Sequence, residues 1–243
     1  MREDPSAQAV VKLNSEILAS RGISLARDAS ILDFGCGTGR HAMEYVAAGF
    51  GEVQGFDVVD YLQVADDERP RFKFGRSLPW DDASFNFVFA TQVFEHIPNP
   101  EEVYRDIYRV LKPGGCFLNV FPSKWRPIEP HTGVPFAGVF APDAYLRLCA
   151  RLGIRMTQQR GLPSDMVAAK NRTQLAEQLH YLSGREIDEM LSNIFDDYEY
   201  VEDTFIEKGP GRSRYLSVPA RIVPPFRLLY RFAHTRALLL RKS

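Results

Sequence analysis

The sequence predicts an α/β protein built on a doubly wound, mostly parallel sheet. Short apolar runs alternate with amphipathic helical stretches along the first 159 residues. The first run stops at a glycine cluster. The next run ends in an acid about 20 residues further on, the spacing of a nucleotide-binding βαβ unit.

The elements follow in order. Residues 6–20 place Val10, Leu13, Ile17 and Leu18 at helical spacing. Residues 30–34 form a buried parallel strand that ends at Gly35. Residues 40–48 form a helix stopped by Gly49 and Gly51, and residues 53–59 a second strand. Residues 71–74 and 86–91 are the third and fourth strands. Asn99-Pro100-Glu101-Glu102 predicts a helix start with Asn99 as cap, Pro100 in the first turn and Glu102 closing a capping box. Val103, Ile107, Val110 and Leu111 form its inner stripe before Lys112-Pro113-Gly114-Gly115 stops it. Residues 116–121 make a fifth strand, and 142–152 a helix with Tyr145, Leu148, Cys149 and Leu152 on one side. Residues 154–159 are expected as a sixth strand.

The rhythm then changes. Residues 165–182 and 185–200 read as helices, the second opened by a capping box at Ser183 and Glu186. Residues 235–241, with Leu238, Leu239 and Leu240 inward, complete a seven-stranded sheet; one amphipathic helix over 225–240 is the alternative. The expected organisation is a core of residues 1–161 and 234–243, with 162–233 a helical insertion acting as a lid or an oligomer contact. The length also admits two small domains.

Composition narrows the function classes. Hydrophobic residues make up 45% and charged residues 25%, which excludes wholesale disorder. No apolar run reaches the length of a membrane span, and Met1-Arg2-Glu3-Asp4-Pro5 does not read as a secretory signal. Cys36, Cys116 and Cys149 have no metal-knuckle or CxxC spacing, so neither a metal site nor a disulfide framework is expected. A sparse, odd set of cysteines fits a reducing compartment, the cytoplasm, and makes the sequon at Asn171 coincidental.

Charge is uneven. Residues 208–243 hold nine of the 30 Lys and Arg and none of the 31 Asp and Glu. Two readings stand equally: an anionic partner such as the inner membrane surface, or a tail packed on an acidic body.

The chemistry-bearing segment is Ile31-Leu32-Asp33-Phe34-Gly35-Cys36-Gly37-Thr38-Gly39-Arg40, a strand running through glycines into a helix. Glycines let the backbone turn sharply and let a ligand lie against bare main chain, while the helix start turns N–H groups outward. The spacing is GxGxG rather than the dinucleotide GxGxxG, and no Gly-Lys-Ser/Thr follows, so nicotinamide cofactors and ATP fit poorly. Asp57, ending the second strand, is placed to accept two ribose hydroxyls. Ser77-Leu78-Pro79-Trp80 supplies an apolar cover for an adenine ring.

From Ser30 to Phe121 the chain resembles class I S-adenosylmethionine-dependent methyltransferases, of the broad type that includes quinone-biosynthesis enzymes. The motifs are Leu32–Gly39, Gly55-Phe56-Asp57, Leu78-Pro79-Trp80, Phe94-Glu95-His96-Ile97 and Leu111-Lys112-Pro113-Gly114-Gly115. The resemblance implies a Rossmann-like fold and S-adenosylmethionine as cofactor, with S-adenosylhomocysteine as product. It implies that Gly35, Cys36, Gly37 and Gly39 follow the methionine part and ribose, and that Asp33 holds the loop or the amino group. It further implies that Asp57 takes the ribose hydroxyls, Val58 the adenine face and Ser77 and Leu78 its edge, while Thr91 and Gln92 line the sulfonium end. Phe74-Gly75-Arg76-Ser77 lacks the acid often found there, and Asn86 stands where Asp is common.

The acceptor side is expected in the Pro-rich stretch 121–136, at the sheet edge where such folds bind ligands. His131 is the candidate general base and Glu129 the group that orients it; a structural loop staple is the competing reading. His96 is a weaker base candidate that reads as structural. His180 and Tyr181, on the inserted helix, either reach the site from above or, by preference, pack, and Trp125, Phe136 and Phe140 form either an acceptor wall or core. The basic and apolar stretch 224–232 suits a membrane surface, a lipid-linked anionic acceptor or ordinary packing. The expected function is methyl transfer to a small-molecule or lipid- or glycan-linked acceptor, at oxygen in the simplest case. A non-catalytic protein binding the same cofactor is the alternative. An acidic body without a base-flipping motif makes nucleic acid a poor partner.

Overall fold

The computed structural model describes the backbone of residues 5–208 and 224–243 and the side chains of 10–208 and 229–243. Seven strands form one sheet in the order β3-β2-β1-β4-β5-β7-β6. They are β1 (Ile31–Phe34), β2 (Val53–Asp57), β3 (Phe72–Phe74), β4 (Phe85–Thr91), β5 (Leu111–Pro122), β6 (Asp197–Tyr200) and β7 (Thr235–Arg241). β1 to β5 run parallel, and β7 lies antiparallel between β5 and β6. The sheet is the doubly wound, mostly parallel one that the alternation of apolar runs predicts.

Helices cover both faces. α1 (Pro5–Ala19) and α2 (Arg40–Ala47) bury Leu13, Ile17, Leu18 and Tyr45 against Ile31, Val53, Phe87 and Leu239. α3 (Pro100–Val110) and α6 (Gly184–Leu191) press Tyr104, Ile107, Ile187 and Leu191 onto Leu32, Val88, Phe117 and Leu238. Successive strand residues thus feed opposite layers, as the period of two requires. α4 (Asp143–Arg151) and α5 (Ser164–Glu177) share a smaller cluster around Leu146, Cys149 and Val167. α7 (Glu202–Lys208) and α8 (Pro224–Ala233) flank the segment before β7. Among the described residues no helix is long and apolar enough to cross a membrane.

Several elements differ from expectation. Residues 154–159 are not a strand: the chain there is irregular, with a single 3-10 turn at Thr157–Gln159. The sixth strand is Asp197–Tyr200, inside the stretch expected as helix, and it gives the region 162–233 a place in the sheet. The edge position explains this, because the strand is only partly buried and its partner β7 lies far along the chain. α4 turns Leu146, Cys149 and Ala150 inward, leaving Leu148 and Leu152 54% and 69% exposed. Asn99 precedes α3 without a side-chain cap, so no capping box forms there, whereas Ser183 and Glu186 make theirs. Residues 224–233 are helical and 235–241 form the strand, so the single long helix is not adopted.

The expectations for residues 1–4 and for Arg212, Arg214 and Arg221 lie outside the described residues, as does the side chain of Arg227. Lys208 is exposed beside Glu207, and the other described tail bases pack on the body. Arg231 reaches Glu202 at 3.1 Å and lies over the Tyr200 ring. Arg236 is buried, Arg241 pairs with Asp197 and Glu199, and Lys242 donates to the Tyr108 carbonyl at 2.9 Å.

Candidate functional site

Strand order turns back between β1 and β4, so the loops leaving their carboxyl ends diverge and open a cleft. The cleft has a volume of about 800 Å³. The β1–α2 loop borders the cleft at Gly35 and turns through left-handed glycines: Gly35 at φ +76°, Gly37 at +51° and Gly39 at +80°. A Cβ on Gly35 would stand 2.3 Å from a Val93 methyl, and one on Gly39 would meet Val64 and Phe72 below 3.0 Å. Around Gly37 the same position is open space. The loop is therefore packed from behind at its two ends and bare in its middle.

Asp57 ends β2 at the cleft wall. Its Oδ2 accepts the Gly37 N–H at 2.8 Å and its Oδ1 the Val58 N–H at 2.7 Å. Each oxygen keeps lone-pair capacity for a further donor, the arrangement that accepts a vicinal diol. Val58, Ser77, Leu78, Gly35 and Gln92 line the same cleft. Gln92 adopts φ +57°, an uncommon conformation for a side-chain-bearing residue, where β4 ends.

Asp33, Cys36, Gly37, Gly39 and Thr91 are not among the lining residues. Asp33 is buried and accepts the Ala42 N–H at 3.1 Å, fastening the first turn of α2. Burial pushes its carboxyl up to about 7 against that hydrogen bond, with Asp57 adding to the rise. Burial likewise raises the Cys36 thiol far above its usual range, so it is a packing group rather than a nucleophile. Sequence reasoning missed Asp106. From α3 it lines the cleft and accepts the Leu78 N–H at 2.8 Å, beside the stretch whose own acid is missing.

Beyond the carboxyl ends of β4 and β5 lies a polar cluster. The loop after β5 closes through an Ile128–Pro135 bridge, which buries the Glu129 side chain. Glu129 accepts from His131 Nδ1 at 2.8 Å, Thr132 Oγ1 at 2.8 Å and Tyr181 Oη at 2.9 Å, besides the His131 and Thr132 backbone N–H groups. Burial alone would raise its carboxyl; the donors from His131 and Thr132 outweigh that and hold it at about 2. The structure thus brings the expected pair His131 and Glu129 together, and adds Tyr181, whose reach to the site is the less favoured of its two sequence readings.

Glu95 and His96 complete the cluster. Glu95 is 1% exposed, and neither carboxylate oxygen has a hydrogen-bond partner. Burial pushes its carboxyl up to about 7. Its Oε1 stands 4.0 Å from His131 Nε2. His96 Nδ1–H donates to the Gln178 carbonyl at 2.8 Å, and the His180 N–H to the Glu95 carbonyl at 2.7 Å. The strand of chain 178–182 therefore lies over the cluster. Trp125, Phe136 and Phe140 do not line the cleft: they are 40–60% exposed, and Trp125 stacks on Phe232.

The family described as "Methyltransferase domain" matches residues 32–119, the stretch that builds the glycine loop, Asp57 and the cleft. Residues 32–119 are a methyltransferase domain. A sterol 24-C-methyltransferase (erg-4) of Neurospora crassa is 34% identical over 121 residues, 45% of this chain and 31% of that protein. The methyltransferase GfsG of Streptomyces halstedii is 30% identical over 123 residues, 46% of this chain and 44% of that protein. The chain thus spans less than half the length of these curated relatives. Among solved structures, the YcgJ protein of Bacillus subtilis superposes with a TM-score of 0.53 at 17% identity, covering 95% of this chain and 99% of that one. Phosphoethanolamine N-methyltransferase 2 of Haemonchus contortus, solved with S-adenosyl-L-methionine, gives 0.52 at 16% identity over 95% and 53%. These structures share the methyltransferase domain's fold.

Proposed function

We propose that the chain transfers a methyl group from S-adenosylmethionine to a lipid-type small-molecule acceptor. One observation carries this reading: a single cleft holds both the Asp57 carboxylate beside a bare glycine loop and an apolar stretch of Ile97, Pro98 and Val103. Its volume suits a nucleoside–amino-acid cofactor together with part of an acceptor.

The residues fit the cofactor. Asp57 has acceptor capacity for the ribose hydroxyls, and Gly35 brings bare main chain to the cleft wall. Val58 and Leu78 offer apolar faces to the adenine, with Ser77 and Asp106 at its edge. The bound cofactor supplies a methyl group already activated on a sulfonium. The chain's own task is then to align the acceptor and keep water out. His131, oriented through Nδ1 by Glu129, is the group to receive a proton from any acceptor that releases one. Residues 178–182 serve as the cover of that end.

The lipid-type acceptor rests on the names of relatives such as the sterol 24-C-methyltransferases of Neurospora crassa and Aspergillus fumigatus. Those names specify a carbon acceptor, so the sequence expectation of an oxygen acceptor finds no support in them. The experiment incubates the protein with methyl-labelled S-adenosylmethionine and a cell extract, then partitions butanol against water. Label in butanol is the expected result. Label confined to water contradicts a lipid acceptor. Cofactor binding without transfer moves the chain to a non-catalytic role.

A further inference from the structure

We propose that Glu95, His96 and His131 form a binding site for one divalent transition-metal ion. This goes beyond methyl transfer and stands on its own geometry. One ligand atom from each residue lies within 4.8 Å of the other two.

The first argument is the orphaned carboxylate. Glu95 is 1% exposed with no hydrogen-bond partner at either oxygen, and a buried carboxylate without a partner is costly. A cation held between Glu95 Oε1 and His131 Nε2, which stand 4.0 Å apart, removes that cost. The second argument is independent of the first. A metal-ligating histidine gives its other ring N–H to a carboxylate or a backbone carbonyl, which fixes the tautomer. Both histidines here are held that way. His131 Nδ1 lies 2.8 Å from Glu129 and His96 Nδ1 lies 2.8 Å from the Gln178 carbonyl, so among the described residues neither Nε2 is engaged in a hydrogen bond. Glu129 is itself fixed by Thr132 and Tyr181. The rings meet edge-on with centroids 4.9 Å apart.

Two imidazoles and one carboxylate select zinc, iron(II) or a similar ion, rather than magnesium or calcium, which take oxygen ligands. Zinc binds such atoms at about 2.0–2.2 Å, so the three side chains draw together by roughly an ångström on loading. Three protein ligands leave a position for water or an acceptor group. His96 is shared with the cleft wall, so that position lies near the acceptor end. A metal on Nε2 makes His131 a ligand, and only the metal-free imidazole is available as a base.

The test titrates Zn²⁺, and separately Co²⁺, into chelator-stripped full-length protein without cofactor or acceptor. One ion per chain is expected, with visible cobalt bands of nitrogen and oxygen ligation. Glu129→Gln weakens binding by roughly 10–100-fold, as loss of an orienting partner does elsewhere. Glu95→Gln and His131→Gln weaken it further. Asp143→Asn, in an exposed acid and arginine cluster, leaves it unchanged. Because a buried substitution can unfold the chain, the wild type carries a second readout: zinc raises its melting temperature and EDTA reverses the rise. The proposal is overturned if the wild type binds neither ion at millimolar concentration. It is equally overturned if folded Glu95→Gln and His131→Gln proteins bind as tightly as the wild type.

Discussion

The Asp57 carboxylate holds the Gly37 N–H at 2.8 Å, tying the end of β2 to the middle of the loop that follows β1. The two strands pair in parallel, with Asp33 opposite Gly55, so their carboxyl ends arrive side by side. The same carboxylate thereby shapes the loop and faces the cleft. Its position follows from strand register.

That loop tolerates side chains unequally. Gly35→Ala places a methyl 2.3 Å from Val93 at φ +76°, whereas Gly37→Ala meets nothing within 4 Å. Both lose the ease of a left-handed backbone, a cost of about 1–2 kcal/mol, and only Gly35→Ala adds overpacking of roughly 1–3 kcal/mol. Urea unfolding should rank Gly35→Ala clearly below Gly37→Ala. Equal stabilities would contradict the packed back of the loop.

Asp33 predicts a pH dependence. Its carboxyl is raised from 3.8 to about 7 by burial, so the folded state holds a proton that the unfolded state releases. Stability therefore falls as pH climbs from about 4 to about 7 and is level above that. Asp33→Asn removes this titration and keeps an oxygen for the Ala42 N–H. Between pH 4 and pH 7.5 the variant should gain roughly 2–4 kcal/mol relative to the wild type. A constant difference across that range would show that Asp33 titrates normally.

The inner face of α4 is open to a paired test. Leu146 is 1% exposed and Leu148 54%. Leu146→Ala should cost about 2–5 kcal/mol, and Leu148→Ala less than about 0.5 kcal/mol. Thermal melts of the two variants decide it, and the reverse order would favour the face expected from sequence.

These cases show which parts of the molecule are legible in the chain. β1, the glycine loop, β2 and Asp57 lie within 27 residues, and their apolar runs and glycines act locally. α4 misleads because Leu148 and Leu152 are apolar yet solvent-facing, and an exposed leucine breaks no physical rule. β6 hides because Asp-Tyr-Glu-Tyr, half exposed at an edge, carries no buried run to mark it. The polar cluster joins the turn after β4, the loop after β5 and the stretch before α6. No spacing in sequence encodes that meeting. Its nearest local signal is the Ser183–Glu186 capping box, which starts α6 and so fixes where the covering stretch ends.

The most direct test of the account is calorimetric titration of S-adenosylhomocysteine into the wild type and into Asp57→Ala, each first shown to be folded by circular dichroism. The account predicts saturable binding to the wild type and a loss of roughly tenfold or more in the variant, the worth of a hydrogen-bonded charged group. Undiminished affinity in a folded Asp57→Ala protein would contradict the assignment of this cleft.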